Sequence, residues 1–186
     1  MQNVKLADIA EIYAGLSYRR YLDDEGIECN VVVQRSIQSD GRLDDFENLR
    51  LSPKIKGRFF SIKGDVLMKM PYPFDVVEVN QEGLVISDRI AIIRLNEDHD
   101  PAFIAHMLTN AHVKKQLHEI GSTERMPHIS IKDIKEIRLN LPDLGKQKKH
   151  GELLNTINEK ITKDMQVVEY DRRLKEGILN KLWEEG

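Results

Sequence analysis

Apolar residues recur every three or four positions in three stretches of the chain, a spacing that places them on one face of a helix. The first stretch, residues 6–13, predicts a short helix that ends at Gly15. The second, residues 101–120, predicts an amphipathic helix, because Asp100 can cap it and Pro101 suits its first position. The third stretch occupies the C-terminal part of the chain.

This third stretch predicts one helix of about 40 residues, roughly 60 Å long, which Asp143 can cap and which runs to the end of the chain. Such a helix overhangs a domain of about 140 residues, so part of its apolar stripe needs a partner; a helix folded back on its own domain is the alternative. The stripe lapses over Asp171-Arg172-Arg173, which predicts a short or interrupted coiled coil. It consists of Leu154, Ile157, Ile161, Met165, Val168, Leu174, Ile178 and Leu182.

Between the helices, short apolar or alternating runs bounded by Gly, Pro, Asp or Asn predict β-strands. We expect them to form one mainly antiparallel or mixed sheet. A further strand is expected to end at Pro142, immediately before the long helix. The runs are Cys29–Val33, Phe59–Ile62, Val66–Met70, Val76–Val79, Leu84–Ser87 and Ile90–Leu95.

Length and composition favour one folded domain with an appendage, since 40% of the 186 residues are hydrophobic. The single cysteine, Cys29, has no partner for an intramolecular disulfide and lies in an apolar run typical of a buried, inert thiol. The N-terminal residues carry charge where a signal peptide needs an apolar run, and no window approaches the roughly 18 apolar residues of a membrane span. We expect a cytoplasmic protein that does not associate with membranes.

The net charge of −3 argues against a protein that coats nucleic acid through bulk electrostatics, but two local stretches are basic. Residues 50–70 contain six basic residues and one acidic residue, and residues 125–150 contain seven basic and three acidic residues. Each stretch is either a solvated face or a surface that binds a polyanion.

No motif for catalysis is recognisable in the sequence. There is no Gly-x-Gly loop for a nucleotide cofactor and no (Asn/Asp)-Pro-Pro-(Tyr/Phe) motif for adenine methylation. Residues 57–64 have roughly the length of a phosphate-binding loop, but Asp65 stands where the lysine is needed. His106, His112 and His118 are six residues apart, so their rings fan out around a helix and cannot converge on one metal ion.

An ordered series of short motifs lies between Gly121 and Ile161. Ser130 and Asp133 can close a capping box, a strand ending at Pro142 follows, and a Gln-Lys pair opens the long helix. This series resembles the junction between a target recognition domain and a conserved spacer helix in the specificity subunits of type I restriction-modification enzymes. The matching segments are Gly121–Thr123, Ile129–Lys135, Ile137–Leu141, Leu141-Pro142 and Gln147-Lys148, with weaker echoes at Val4–Ala10, Gly15, Lys63–Leu67 and Leu174–Leu179.

The resemblance implies an α+β fold. A mixed or antiparallel-sheet DNA target recognition domain is expected over residues 1–142, followed by one long C-terminal coiled-coil helix over residues 143–186. Tyr18 and Tyr21 either stack on a displaced base or pack in the domain, and packing is the favoured reading. Glu124 stands where relatives often carry an amide, which leaves its role open. The residues expected to contact DNA are Ser17, Tyr18, Arg19, Arg20, Lys54, Lys56, Arg58, Lys69, Ser122, Thr123, Glu124 and Arg125.

The same resemblance implies a non-catalytic subunit that binds double-stranded DNA, a methyltransferase subunit and a restriction or translocase subunit. S-adenosylmethionine, Mg²⁺ and ATP are then expected on those partners, and this chain is expected to bind no cofactor. Full-length family members carry two recognition domains and two spacer helices, whereas this chain carries one of each. We therefore expect a homodimer that reads a bipartite palindrome through its helix pair.

Three other readings of the sequence stay open at this point. The chain can be an inactive or shuffling specificity cassette that functions only when it is joined to another half. It can be a coiled-coil adaptor whose globular part binds protein instead of DNA. A self-sufficient nuclease is a third possibility, and it predicts magnesium-dependent cleavage by the purified chain.

Overall fold

The computed structural model describes residues 1–120 and 128–184, which form nine β-strands and five α-helices. The predicted α+β fold class is confirmed. The elements are β1 (Gln2–Lys5), α1 (Leu6–Ile9), β2 (Ala10–Ala14), β3 (Leu22–Val32), β4 (Glu47–Leu51), β5 (Val66–Lys69), β6 (Val76–Glu78), β7 (Val85–Ile86), β8 (Ile90–Leu95), α2 (Pro101–Leu108), α3 (Ala111–Ile120), α4 (Ile131–Glu136), β9 (Arg138–Leu141) and α5 (Leu144–Glu184).

The largest sheet has four antiparallel strands in the order β2-β8-β5-β6. Successive side chains of a strand point to opposite faces, and both faces of the central strand β8 are buried. Ala91 and Ile93 pack with the helices, whereas Ile90 and Ile92 pack in a second apolar cluster. Strand β8 is therefore enclosed between two apolar layers.

Two smaller sheets complete the domain. The first has the order β4-β3-β7, with β3 antiparallel to β4 and parallel to β7. The second pairs β1 with β9 and so ties the N-terminus to the segment that precedes α5. The predicted capping box is present at the start of α4, where the Ser130 and Asp133 side chains each accept a hydrogen bond from the other's backbone N–H.

The expected helix over residues 6–13 is wrong beyond Ile9, because the chain continues as strand β2. Ile12 packs with the helices and Tyr13 packs in the cluster on the other face of the sheet. Two adjacent side chains on opposite faces fit a strand and not one face of a helix. The apolar spacing alone could not distinguish these two structures.

Three further expectations need correction. The strands form three sheets instead of one, and residues 59–62 make only an isolated bridge between Phe60 and Val85.

The helix expected over residues 101–120 divides into α2 and α3. Asp100 caps α2 as predicted, accepting from the Phe103 N–H at 2.8 Å. A second cap divides the stretch, since the Asn110 side chain accepts from the His112 N–H at 2.9 Å.

Helix α5 starts at its predicted cap and then docks on the domain. Asp143 accepts from the Lys146 N–H at 3.0 Å, and the buried Gln147 accepts from the Asp100 N–H at 3.1 Å and donates to the Pro142 carbonyl at 2.9 Å. Gly151 allows α5 to lie against α2, since a Cβ there would be 2.9 Å from the Phe103 nitrogen. These contacts fix the direction in which α5 leaves the domain.

The remainder of α5 extends beyond these contacts. Asn155 pairs with His106 at 2.7 Å, and Asn158 donates to the Asp40 carbonyl at 2.6 Å. From Ile157 to Leu182, the apolar stripe is roughly half exposed, at 46% and 62% for these two side chains. The helix therefore begins against its own domain and then projects from it, and the expected partner for the projecting part stays a prediction.

Replacing Gly151 with alanine is expected to lower the free energy of unfolding by about 1–3 kcal/mol, because the new methyl group collides with Asp100 and the backbone of α2. Gly177→Ala is the matched control on the same helix, where a Cβ meets nothing within 4 Å and alanine favours the helix by up to about 1 kcal/mol. Urea unfolding followed by circular dichroism measures both. Equal effects at the two positions would contradict the docked helix.

Candidate nucleic-acid interface

Several loops meet at one edge of the four-stranded sheet. The β4-β3-β7 sheet meets the four-stranded sheet at this edge. The Leu16 N–H donates to the Ile86 carbonyl at 2.7 Å, and the Ser87 N–H donates to the Val32 carbonyl at 3.1 Å. We call this set of strand ends the loop edge. Its strand ends in the four-stranded sheet are Ala14, Lys69, Val76 and Ile90.

Gly15 positions the first of these loops. Its N–H donates to the Ile90 carbonyl at 3.0 Å, and a Cβ at this position would collide with the carbonyl oxygens of Ile86 and Ser87. Glycine is required because the backbone crosses β7 at this close distance. The predicted segment Ser17–Arg20 follows directly and forms a short 3₁₀ turn with Tyr21.

A cleft of about 560 Å³ opens at the loop edge. It combines hydroxyl, amide, carboxylate and guanidinium groups from four separate chain segments, which are the groups that recognise base edges and phosphates. The cleft is lined by Ser17, Tyr18, Arg19, Val33, Gln34, Arg35, Glu47, Ser87, Asp88 and Arg89.

Tyr18 lies beneath this cleft and packs in the domain, which is the favoured of its two sequence-based readings. The ring is buried, and its hydroxyl donates to Glu47 at 2.8 Å. Arg35 donates to the other oxygen of Glu47 at 2.9 Å and to Asp45 at 2.9 Å. The hydrogen bond from Tyr18, followed by Arg35, holds the pKa of Glu47 below its ordinary value. Tyr18 thus anchors the loop and is not available to stack on a base.

Three arginines at the loop edge are exposed and form no salt bridge within residues 1–120 and 128–184: Arg19, Arg20 and Arg89. Arg19 and Arg20 were predicted from the sequence, whereas Arg89 and Gln34 were not. A signal was present, because Arg89 is a polar residue in the short connection between buried strands β7 and β8, and Gln34 follows closely after the buried end of β3; loops at strand ends carry functional groups.

The predicted basic residues at positions 54–69 divide into two groups. Lys54, Lys56 and Arg58 are exposed on a segment whose Ile55 packs in the same apolar cluster as Tyr18. Lys69 instead donates to Asp75 at 2.9 Å, and its side chain is only 14% exposed. The ammonium group of Lys69 is held by this carboxylate, so we leave Lys69 out of the candidate surface.

Ser122, Thr123, Glu124 and Arg125 lie outside the described residues. The chain resumes at the loop edge, where His128 pairs with Pro71 and the Ile129 N–H donates to the Met70 carbonyl at 3.0 Å. The Met70 N–H in turn donates to the Arg89 carbonyl at 3.1 Å.

The sequence matches the family of type I restriction modification DNA specificity domains over residues 1–168. The chain belongs to this family. A search of curated proteins found none that matches the chain.

Solved structures with the same fold are specificity subunits of this family. The HsdS subunit from Thermoanaerobacter tengcongensis is 18% identical with a TM-score of 0.69, and the match covers 87% of this chain and 43% of that one. A type I R-M system whose assembly and conformational transition were determined gives 20% identity, a TM-score of 0.64 and coverages of 87% and 39%. The S subunit of a type I restriction-modification system from M. genitalium is 13% identical with a TM-score of 0.59, and the match covers 94% of this chain and 43% of that one. The chain spans about two fifths of the length of these structures.

In the part of the chain that the structure describes, no group of three or more His, Cys, Asp or Glu side chains is arranged to hold a metal ion. Cys29 is buried, which raises the pKa of its thiol. None of the described helices combines the length and the apolar composition needed to cross a membrane.

Replacing Tyr18 with phenylalanine is expected to lower the free energy of unfolding at pH 7 by about 1–2 kcal/mol, since Glu47 loses a hydrogen bond. The pKa of Glu47 is lower in the folded than in the unfolded chain. Its stabilisation is therefore present above about pH 4.3 and is lost as the pH falls through the lowered pKa, so the two proteins should converge at a pH below that lowered pKa. Tyr21→Phe, which removes a hydroxyl without a described partner, is the control in urea unfolding at both pH values.

Proposed function

We propose that this chain is a DNA sequence-specificity subunit of a type I restriction-modification complex. The observation that carries the proposal is the loop edge, where exposed arginines without a salt bridge among the described residues, together with amide and hydroxyl side chains, project from the sheet in a chain of the specificity family. Methyltransferase and endonuclease activities belong to partner subunits in this proposal. S-adenosylmethionine, Mg²⁺ and ATP are bound by those partners.

DNA reading needs cations that bind phosphates and side chains that reach base edges. Arg19, Arg20 and Arg89 can serve either role, and one bidentate arginine–guanine contact is worth about 1–3 kcal/mol of discrimination. Gln34 can pair with adenine, and Ser17 can bond to either type of base. Lys54, Lys56 and Arg58 extend the surface as phosphate contacts, and Ser122 to Arg125 remain proposed base contacts on the strength of the family resemblance.

The exposed stripe of α5 supports a proposal for how the chain dimerises. Its projecting apolar stripe needs a partner helix, and we propose that a second copy of this chain supplies it in an antiparallel pair. Two recognition domains held by this pair would read a bipartite palindrome, and the assembly would recruit methyltransferase and restriction subunits. In this arrangement each recognition domain binds one half of the DNA target, and the length of the helix pair sets the distance between the two halves.

Alanine at Arg19 or Arg89 is expected to weaken binding of the methyltransferase complex to duplex DNA. For a phosphate contact, the slope of log affinity against log salt should fall by about 0.9. Arg173→Ala is the charge-matched control, since this arginine pairs with Glu169 on α5 at 3.0 Å. Fluorescence anisotropy at several salt concentrations measures all three variants. Unchanged affinity for both loop-edge variants would exclude this edge as the DNA surface.

Co-expression with the cognate methyltransferase, in a host without adenine methylation, is expected to place methyl groups at a split palindrome. Single-molecule sequencing of the host genome maps the modified adenines. Methylation at an asymmetric split site would mean that this chain pairs with a different recognition half. Stable co-purification without sequence-specific methylation would favour an inactive cassette, and no association would favour the adaptor reading.

A further inference from the structure

Building on the proposed DNA function, on which this step rests, we propose that the ring of Tyr72 packs on the 5-methyl group of a thymine in the major groove. The contact is apolar and so differs in chemistry from the contacts of the arginines. Tyr72 lies on the turn that joins β5 and β6, at the loop edge but outside the cleft. It was not among the residues predicted from the sequence to contact DNA.

Tyr72 is exposed in a way that the other aromatic side chains of the domain are not. Among the described residues that precede α5, it is the one aromatic side chain that is mostly exposed, at 57%. The tyrosine hydroxyls of the domain that form a described hydrogen bond are those of Tyr13 and Tyr18. The Tyr72 side chain therefore adds little to the core, and both its ring and its hydroxyl are available to a bound molecule.

Two neighbouring rings hold Tyr72 in place. Its ring lies edge-on to the ring of the buried Phe74, with centroids 5.8 Å apart and an interplanar angle of 83°, and it lies 5.9 Å from the ring of His118 on α3. Phe74 has a φ of 61°, a left-handed conformation that is uncommon for a bulky residue. Such a conformation persists only where its surroundings enforce it, and it is found most often at functional sites.

The turn is also fixed at its base. Lys69 and Asp75 form an ion pair of 2.9 Å between largely buried side chains, and the Lys69 N–H donates to the Asp75 carbonyl at 2.9 Å. The next residue, Met70, donates its N–H to the carbonyl of Arg89 at 3.1 Å. Lys69 thus supports the turn that carries Tyr72, and the turn is bonded to the segment that carries a loop-edge arginine.

The sheet places Tyr72 close enough to Arg89 for both to contact one half-site. Arg89 directly precedes β8, and β8 pairs with β5, from which the turn leads. Neighbouring strands lie about 4.8 Å apart, so one or two strand spacings separate these residues along the edge. Successive base pairs rise about 3.4 Å, so this separation corresponds to roughly three base pairs. An arginine and a tyrosine can therefore read neighbouring positions of the same target.

The apolar character of the ring decides which group of the DNA it recognises. Base edges in the major groove present hydrogen-bond donors and acceptors, and the 5-methyl group of thymine is the one apolar group among them. Apolar side chains recognise thymine through this methyl group. A target that is methylated on adenine necessarily contains thymine, because each adenine is paired with one. A phosphate, by contrast, gains nothing from an uncharged ring.

Deoxyuridine lacks only the 5-methyl group of thymine and tests the contact directly. The protein is the full-length chain in its methyltransferase complex, and the probe is the duplex that carries the methylated site, with each thymine replaced in turn. At one position, the replacement should weaken binding about three- to fivefold per half-site, as expected for the loss of one buried methyl group. In the Tyr72→Ala complex, the same replacement should have no effect, because the ring is absent. Fluorescence anisotropy measures the dissociation constants.

Two further variants are controls for this contact. Tyr72→Phe keeps the ring and should keep the affinity and the deoxyuridine effect. Ile62→Ala shortens an exposed apolar side chain before β5, at the opposite end of the sheet, and should leave both unchanged. Urea unfolding establishes that Tyr72→Ala is folded, and the deoxyuridine effect on the starting protein does not depend on the folding of any variant.

A Tyr72→Ala complex that binds as tightly as the starting complex would overturn the inference. So would a starting complex that binds every deoxyuridine duplex as tightly as the thymine duplex. If Arg89→Ala weakens binding in the same assay, the proposed DNA function stands despite either result. A starting complex that binds no duplex would overturn both.

Discussion

The enclosure of strand β8 between two apolar layers is the constraint on which the rest of the molecule depends. Ile90, Ala91, Ile92 and Ile93 are fully buried, and β8 pairs with both β2 and β5. The strand begins directly after Arg89 at the loop edge, and the segment after it ends at Asp100, to which Gln147 of α5 is bonded. A single rigid element therefore connects the candidate DNA surface to the root of the projecting helix.

A buried polar network stiffens the four-stranded sheet at the end opposite the loop edge. Asp65 is fully buried and takes two hydrogen bonds from Arg94, both at 2.8 Å, while it also accepts from the Ile62 N–H. No buried side-chain nitrogen or oxygen lacks a hydrogen-bond partner among the described residues. Satisfied buried networks specify one conformation, and a base-reading surface needs that property because misplaced donors cannot discriminate between bases.

Features controlled by neighbours in sequence could be predicted, and features controlled by topology could not. The caps at Asp100, Ser130 and Asp143 depend on side chains reaching two or three residues along the chain. The predicted helix extends too far because Ile12 of β2 continues the three-residue spacing of Leu6 and Ile9, which lie in α1. Gln34 and Arg89 were missed because 55 residues separate them in the sequence, and only the parallel pairing of β3 with β7 brings their loops together.

The close passage of Gly15 over β7 has an evolutionary consequence. Because the backbone contacts among Gly15, Ile86 and Ile90 define where the loops start, the exposed side chains of Arg19, Arg20 and Arg89 carry little of the fold, in contrast to the buried Tyr18. Mutation or genetic exchange at these exposed positions can then change the chemistry of the loop edge, while the contacts that hold α5 on the domain stay the same. A lineage can therefore vary the loop edge one position at a time without disturbing the core that supports it.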